Sequence, residues 1–260
     1  MPPIRGHKVL VIGGSSGIGA AVAKLAGQEG ATVAIASSNP TRVETALQKL
    51  RTDVPEATFS GFTVDVSQDD VEERLDKLFS KVTTDLGGQL DHIVYTANSL
   101  QLLPLTALTV PYLRSSVQFM YVVPLILGKL APKYIKNSYT SSITFTTGRA
   151  AERPLKNFSA VAGVGAGLFG ITKSLALELV PIRVNLVSPG TTDTDILGPP
   201  EVRAPRLAAV AKGSLLGKVA TPEEVAEAYI YYMRDTNNTG SHISTSGGDL
   251  IQQPASDGHF

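Results

Sequence analysis

The stretch GGSSGIG, Gly13 to Gly19, stands between the apolar run KVLVI (Lys8–Ile12) and the segment GIGAAVAKLAGQEG (Gly17–Gly30). Ile18, Val22 and Leu25 of that segment recur at helical spacing, and Gly30 closes it. Strand, glycine turn and helix in this order suit a phosphate. Gly13, Gly17 and Gly19 let the backbone turn tightly and come close, with Ser15, Ser16 and Ile18 between them. The helix N-terminus adds amide donors and a partial positive charge. A flexible N-terminal loop, the alternative, does not account for the flanking pattern.

Outward from this turn, strand-length apolar runs alternate with helical segments. ATVAIAS (31–37) is followed by NPTRVETALQKL (39–50), where Asn39 caps a helix and Pro40 takes its first position. TFSGFTVDV (58–66), LDHIVYTA (90–97), SITFTT (142–147) and IRVNLVS (182–188) are further strands. The helix TPEEVAEAYIYYM (221–233) and a last short strand, SHISTS (241–246), follow. Such alternation predicts an α/β fold, a doubly wound parallel β-sheet (Rossmann fold) with helices on both faces. Nothing divides the chain, so one domain is expected over 1–260. The stretch TTDTDILGPPEVRAP reads as irregular and begins a substrate loop at about 191–217.

With 23 basic and 23 acidic residues and no dense Lys/Arg cluster, a nucleic-acid partner or a membrane surface is not expected. There is no cysteine, which removes disulfides, thiolate metal sites and thiol catalysis. His7, His92, His242 and His259 lack ligand spacing, so no metal is expected. The first apolar run is too short for a signal peptide or a membrane span, and a cytoplasmic protein is expected.

A dinucleotide must also be read at its adenosine end. Preference for NAD shows as an acid at the tip of the second strand, bonded to the ribose 2′-hydroxyl. Here the tip is Ser37, Ser38 and Asn39, with Arg42 nearby and no carboxylate. Hydroxyls and a guanidinium suit a 2′-phosphate, which points to NADP(H). The competing reading leaves Asn39 as a helix cap and Arg42 as a solvated side chain.

These features resemble the short-chain dehydrogenase/reductase family over nearly the whole chain. Gly13, Gly17, Ile18 and Gly19 match its glycine turn, although Ile12 replaces the usual threonine. VDV (Val64–Val66) matches the loop whose aspartate contacts adenine, which implies that role for Asp65, with Val66 beside it. YTAN (Tyr95–Asn98) stands where the family reads Asn-Asn-Ala-Gly; only Ala97 matches directly, with Thr96 and Asn98 flanking it. IRVNLVSPGTTDT carries the pattern that borders the nicotinamide, through Asn185, Pro189, Gly190, Thr192 and Thr194. TPEEVAEA and TGSHISTSGG resemble the family's closing helix and strand.

The family's usual catalytic set is a serine, a tyrosine that serves as general acid, a lysine four residues later that lowers its pKa, and an asparagine on the fourth helix. None of this chain's eight tyrosines has a lysine four positions on. NFSAVAGVGAGLFG (Asn157–Gly170) occupies the equivalent stretch, with Val161 at the tyrosine position and Gly165 at the lysine. The serine falls at Gly148, beside Thr147, and the asparagine at Gln118.

That vacancy, with SNPT, HIVYTA, GKLAPKY, VPIRVN and TSGGDLI, resembles an atypical, largely fungal branch of secondary metabolism. It includes alkaloid enzymes that reduce imines and guide a cycloaddition. Met120 and Leu155 stand where those bifunctional proteins carry an arginine and an acid, so their cyclisation chemistry does not transfer.

Hydride transfer to a neutral ketone leaves an alkoxide that needs a proton, whereas an iminium becomes neutral without one. The sequence therefore suits a reductase of a bulky, activated intermediate. A non-redox cyclase or isomerase and a cofactor-binding pseudoenzyme remain alternatives. Thr147, Gln118 and Arg149 are the candidate catalytic residues. Asp193 and Asp195 are candidates for holding a cation, and Tyr95 and Tyr121 for donating a proton. The GAGLFG helix is a pocket wall, a subunit interface or both; the family usually dimerises through its fourth and fifth helices, which implies a homodimer or homotetramer.

Overall fold

The computed structural model describes residues 2–99 and 102–251. Strands β1 (Lys8–Ile12), β2 (Thr32–Ser37), β3 (Phe59–Thr63), β4 (His92–Tyr95), β5 (Ser142–Thr146), β6 (Arg183–Pro189) and β7 (His242–Thr245) form one sheet. Its order is β3-β2-β1-β4-β5-β6-β7, with every pairing parallel. Central strands are apolar along their length because both faces are covered: Val9–Ile12 and Val33–Ala36 are buried throughout.

On one face lie α1 (Gly17–Gln28), α2 (Pro40–Asp53) and α8 (Pro222–Arg234), packing Val22, Leu47 and Tyr229 onto Val9, Val33 and Ile35. On the other lie α3 (Val71–Asp85), α5 (Val123–Tyr134) and α6 (Ser159–Glu178), packing Leu75, Phe79, Leu127 and Leu168 onto Leu10, Ile93 and Phe145. Leu75, Phe79 and Leu127 are 0% exposed, and each gains roughly 1.5–3 kcal/mol by leaving water. The helix α4 (Val110–Val117) continues into α5 through a π-helical turn, Gln118–Val122. Strand order reverses between β1 and β4, so the carboxyl ends of these two strands flank a crevice.

Two elements differ from the sequence reading. β3 stops at Thr63 rather than running to Val66, because the Asp65 carboxylate accepts from the Ser67 amide (3.0 Å) and hydroxyl (2.7 Å). That local turn takes the backbone off the sheet. The segment read as irregular contains a three-residue turn, Asp195–Leu197, and a full helix, α7 (Pro200–Gly213). Pro200 at the first position starts α7, and Arg203 ties it to the preceding loop through Asp193 (3.1 Å) and Asp195 (2.7 Å).

At the amino end of the strands a polar chain runs through the core. His7 Nδ1 lies 2.9 Å from His92 Nε2, and His92 Nδ1 lies 2.9 Å from Ser142 Oγ. Burial pushes both imidazoles below their usual pKa, His92 furthest. Two helical runs, Val110–Tyr134 and Ser159–Glu178, are long and apolar enough to cross a membrane. Their inner residues, among them Val123, Leu127, Leu168 and Leu175, belong to the core beside the sheet.

Candidate active site

The glycine turn closes the crevice at β1. Gly13 adopts φ +96° and Gly17 φ +52°, a region open to glycine at no steric cost. A Cβ on Gly13 would stand 2.5 Å from the Ala97 amide nitrogen, so only glycine lets β1 and β4 end this close together. The resulting groove, about 590 Å³, is lined by Gly13, Ser15, Ser16, Gly17, Ile18 and Gly19 at the turn and by Ser37, Ser38 and Arg42 at the tip of β2. Asp65, Val66, Thr96, Ala97, Asn98 and Thr194 also line it, as do Phe119, Asp195 and Ile196 among others. Hydrogen bonds from Ser67 hold the Asp65 carboxyl below its usual pKa.

Asn39 alone of the residues read as contacting the adenosine end is not among the lining. Its Oδ1 accepts from the Arg42 amide at 2.9 Å and caps α2. Pro189, Gly190 and Thr192 line not this groove but the cavity beside it. Asn185 lies deeper: its amide donates to Asn238 O at 2.9 Å and its Oδ1 accepts from the Ser241 amide at 3.2 Å, which ties β6 to the turn before β7.

The second cavity, about 390 Å³, shares Ile18, Thr96, Asn98, Thr146, Thr194 and Ile196 with the groove. Its wall includes Met120, Leu155, Phe158, Val161, Gly165 and Val210. Val161 and Gly165 thus stand one turn apart on α6 in the wall of an apolar pocket that opens beside the groove at the glycine turn. Gly165 is there for contact. A Cβ on it would meet Thr147 Oγ1 at 2.9 Å and Ala151 Cβ at 3.2 Å.

Few of the candidate catalytic side chains are disposed toward chemistry. Thr147 lines the cavity, but its hydroxyl donates to Gly165 O at 3.0 Å. Gln118 is absent from the lining; its amide donates to Val66 O (3.0 Å) and Gln68 O (3.2 Å) and secures the loop after β3. Arg149 lines the cavity and pairs with Asp249 at 3.3 Å. Asp193 and Asp195 pair with Arg203 and neither lines this cavity, though Asp195 lines the groove beside it. The Tyr95 phenol is buried in the core without a partner, and burial raises its pKa; Tyr121 is half exposed and lines no described cavity near the site.

The sequence reading placed a substrate loop at about 191–217 but singled out none of Ile196, Leu197, Arg206 and Val210, since it took 191–205 as irregular. Pro200 followed by Val202, Leu207 and Val210 was a usable helix signal. It also missed Leu102 and Phe158, which no motif marks.

A family model described as the SDR-like Rossmann domain matches residues 4–252. The chain belongs to the short-chain dehydrogenase/reductase family. This SDR is 49% identical to short-chain dehydrogenase/reductase ATR9 of Stachybotrys chlorohalonatus over 97% of its length and 100% of the relative's. It is 39% identical to short-chain dehydrogenase/reductase malC of Malbranchea aurantiaca over 96% of each. The solved structure of MalC reductase/Diels-Alderase superposes with a TM-score of 0.90 at 38% identity, covering 96% of this chain and 98% of that one. These relatives are fungal secondary-metabolite SDRs, and the Rossmann fold of the family binds nicotinamide cofactors.

Proposed function

We propose that this SDR is an NADP(H)-dependent reductase that passes hydride to a bulky, activated intermediate of fungal secondary metabolism without the family's Tyr/Lys acid. One observation supports the reading: Val161 and Gly165, which the resemblance sets at the family's tyrosine and lysine positions, both line an apolar cavity of about 390 Å³ that adjoins the groove at the glycine turn. No acid–base pair remains there, so the reaction favoured is one whose electrophile is already activated. The groove would hold the cofactor through the Gly13–Gly19 turn, Asp65 and the Thr96–Asn98 segment, with Pro189, Gly190, Thr192 and Thr194 beside the nicotinamide. When bound, NADPH supplies the hydride; the protein's part is orientation and the exclusion of water.

Ser37, Ser38 and Arg42, with no carboxylate at the tip of β2, favour a 2′-phosphate. Arg149 and Thr147 would shape the cavity through their bonds to Asp249 and Gly165, and Gln118 would act indirectly, by holding the adenine loop. The Diels-Alderase half of MalC's description is not extended to this chain, since Met120 and Leu155, both in the cavity wall, are uncharged. The reading takes the chain as one cytoplasmic domain, with the segment at 191–217 roofing the cavity.

The outer face of α6 exposes Gly163, Gly167 and Gly170, where an added Cβ would meet nothing within 4 Å. Each costs a solvated helix about 1 kcal/mol relative to alanine, so a second copy packed closely on this face accounts for them. A homodimer or homotetramer follows; Gly167→Leu would give a smaller particle by light scattering, and an unchanged mass would contradict it.

NADPH absorbance during incubation with iminium and ketone panels tests the function. Oxidation of NADPH with the activated substrates supports it. Product formed without oxidation would instead favour a cyclase or isomerase, and tight NADPH binding without any turnover a pseudoenzyme.

A further inference from the structure

Charge around the apolar cavity has one sign. Among the described residues that line it, the charged side chains are Arg149 and Arg206, and no carboxylate is present. Acids on the elements that build the cavity pair elsewhere. Asp249 pairs with Arg149 at 3.3 Å, Asp193 and Asp195 with Arg203 at 3.1 and 2.7 Å, and Glu152 with His242 at 3.5 Å. Glu201, exposed in the first turn of α7, does not line the cavity. The start of α6 adds the same sign. Its N-cap residue, Phe158, lines the cavity and offers no side-chain cap, so the first helical amides carry uncompensated partial positive charge.

The two arginines differ in what answers their charge. Arg149 is met by Asp249, which is 8% exposed and lines the neighbouring cavity instead of this one. Arg206 has no such partner: among the described residues, no hydrogen bond or ion pair engages it. It is exposed and stands one turn before Val210 on α7, and both line the cavity with Leu197. Arg203 fixes α7 to the preceding loop through Asp193 and Asp195. A hydrated guanidinium is thus held at the rim of an apolar space. The hydroxyls of Thr96, Thr146, Thr147, Thr192 and Thr194 donate to backbone carbonyls. Thr191 and the Asn98 amide remain as neutral donors, with no charge to tell an acid from its ester.

We propose that the activated intermediate this SDR reduces is a zwitterion, an iminium that bears a carboxylate, and that Arg206 holds the carboxylate. The inference rests on the reductase reading above and names its substrate class. The iminium carbon accepts hydride from NADPH, the C=N π pair moves to nitrogen, and NADP⁺ and a neutral amine result. The carboxylate takes no part in the bond changes. Its work is to meet the planar guanidinium, a charge-assisted contact strengthened by apolar neighbours that exclude competing water. It also cancels the substrate's net charge, which removes the repulsion that Arg149, Arg206 and the α6 terminus impose on a bare iminium. A bare iminium is still reduced, but it is held more weakly.

N-carboxyalkyl-3,4-dihydroisoquinolinium ions of graded tail length, each beside its methyl ester, are the probes. With NADPH-loaded wild-type enzyme, the best acid should show a KM about 30-fold below that of its ester, at similar kcat. Arg206→Gln should raise the KM of the acid to that of the ester, leaving the ester and the Kd for NADPH unchanged. Its thermal melt should not move, because Arg206 is exposed and bonded to nothing in the fold. Arg206→Lys should recover part of the preference. Equal KM for acid and ester at every tail length would overturn the proposal and leave the reductase reading intact, as would a preference that survives Arg206→Gln. Calorimetry of the same probes on enzyme loaded with NADP⁺ separates the two ideas further. Tighter binding of the acid through Arg206, with no oxidation of NADPH by either probe, would keep the carboxylate site and refute the reduction.

Discussion

Replacing Gly165 by alanine asks whether the lysine position of this SDR is merely unoccupied or actively closed. On helix propensity alone the change should stabilise α6 by about 1 kcal/mol. The structure opposes this, because the new Cβ would stand 2.9 Å from Thr147 Oγ1 and 3.2 Å from Ala151 Cβ. Thr147 is only 7% exposed and β-branched, so it has little freedom to turn aside. Turning aside also breaks its 3.0 Å bond to Gly165 O and leaves a buried hydroxyl unpaired, at about 1–3 kcal/mol. Overpacking adds about 1–3 kcal/mol. Against the propensity gain, Gly165→Ala should destabilise by roughly 2 kcal/mol. With an m-value near 3 kcal/mol/M, the urea midpoint falls by roughly 0.7 M. Thr147→Ala in the same background removes the obstacle and should recover at least half of that loss, a coupling that a double-mutant cycle reads directly. A midpoint unchanged or raised by Gly165→Ala alone would refute the packing account.

Two other outcomes follow from the same geometry. Arg42→Ala should raise the Kd for NADPH about tenfold, ~1.4 kcal/mol, and leave that for NADH unchanged; titration of protein fluorescence with each cofactor measures both. The pair formed by half-buried His7 and buried His92 makes stability depend on pH. Both imidazoles are held below 6.5 by burial, with Lys136 and Arg183 adding to it and Asp91 opposing it at His7. The unfolded chain therefore binds more protons below pH 6.5, and stability, fully present above that value, falls as pH drops from 6.5 toward 5. The slope should reach about 1.4 kcal/mol per pH unit for His92, and His92→Gln should flatten it in melts across that range.

The sheet and the groove at the glycine turn were legible in the sequence because both depend on local pattern. Strand alternation and the Gly13–Gly19 turn are written in consecutive residues, and most of the groove's lining falls in short ordered motifs. α7 escaped because Pro205 inside its helix masks the periodicity that Val202, Leu207 and Val210 otherwise show. Side-chain roles were least legible, since they turn on competition among partners distant in sequence. Gln118 reads as a catalytic amide until Val66 and Gln68 carbonyls are found within its reach, and Thr147 as a substrate ligand until Gly165 O is. The lack of a tyrosine–lysine pair was visible in the sequence, whereas the chamber between α4 and α6, lined by Tyr112 and Val161, becomes apparent only when the two helices are set side by side.

The account's central claim is hydride transfer at a site that lacks the family's tyrosine and lysine. It is tested most directly by supplying NADPH deuterated at the transferring C4 position together with N-methyl-3,4-dihydroisoquinolinium, then analysing the product by mass spectrometry. The account predicts an amine carrying one deuterium, formed in step with loss of NADPH absorbance. An unlabelled product, or no product at all from an enzyme that binds NADPH, would contradict it.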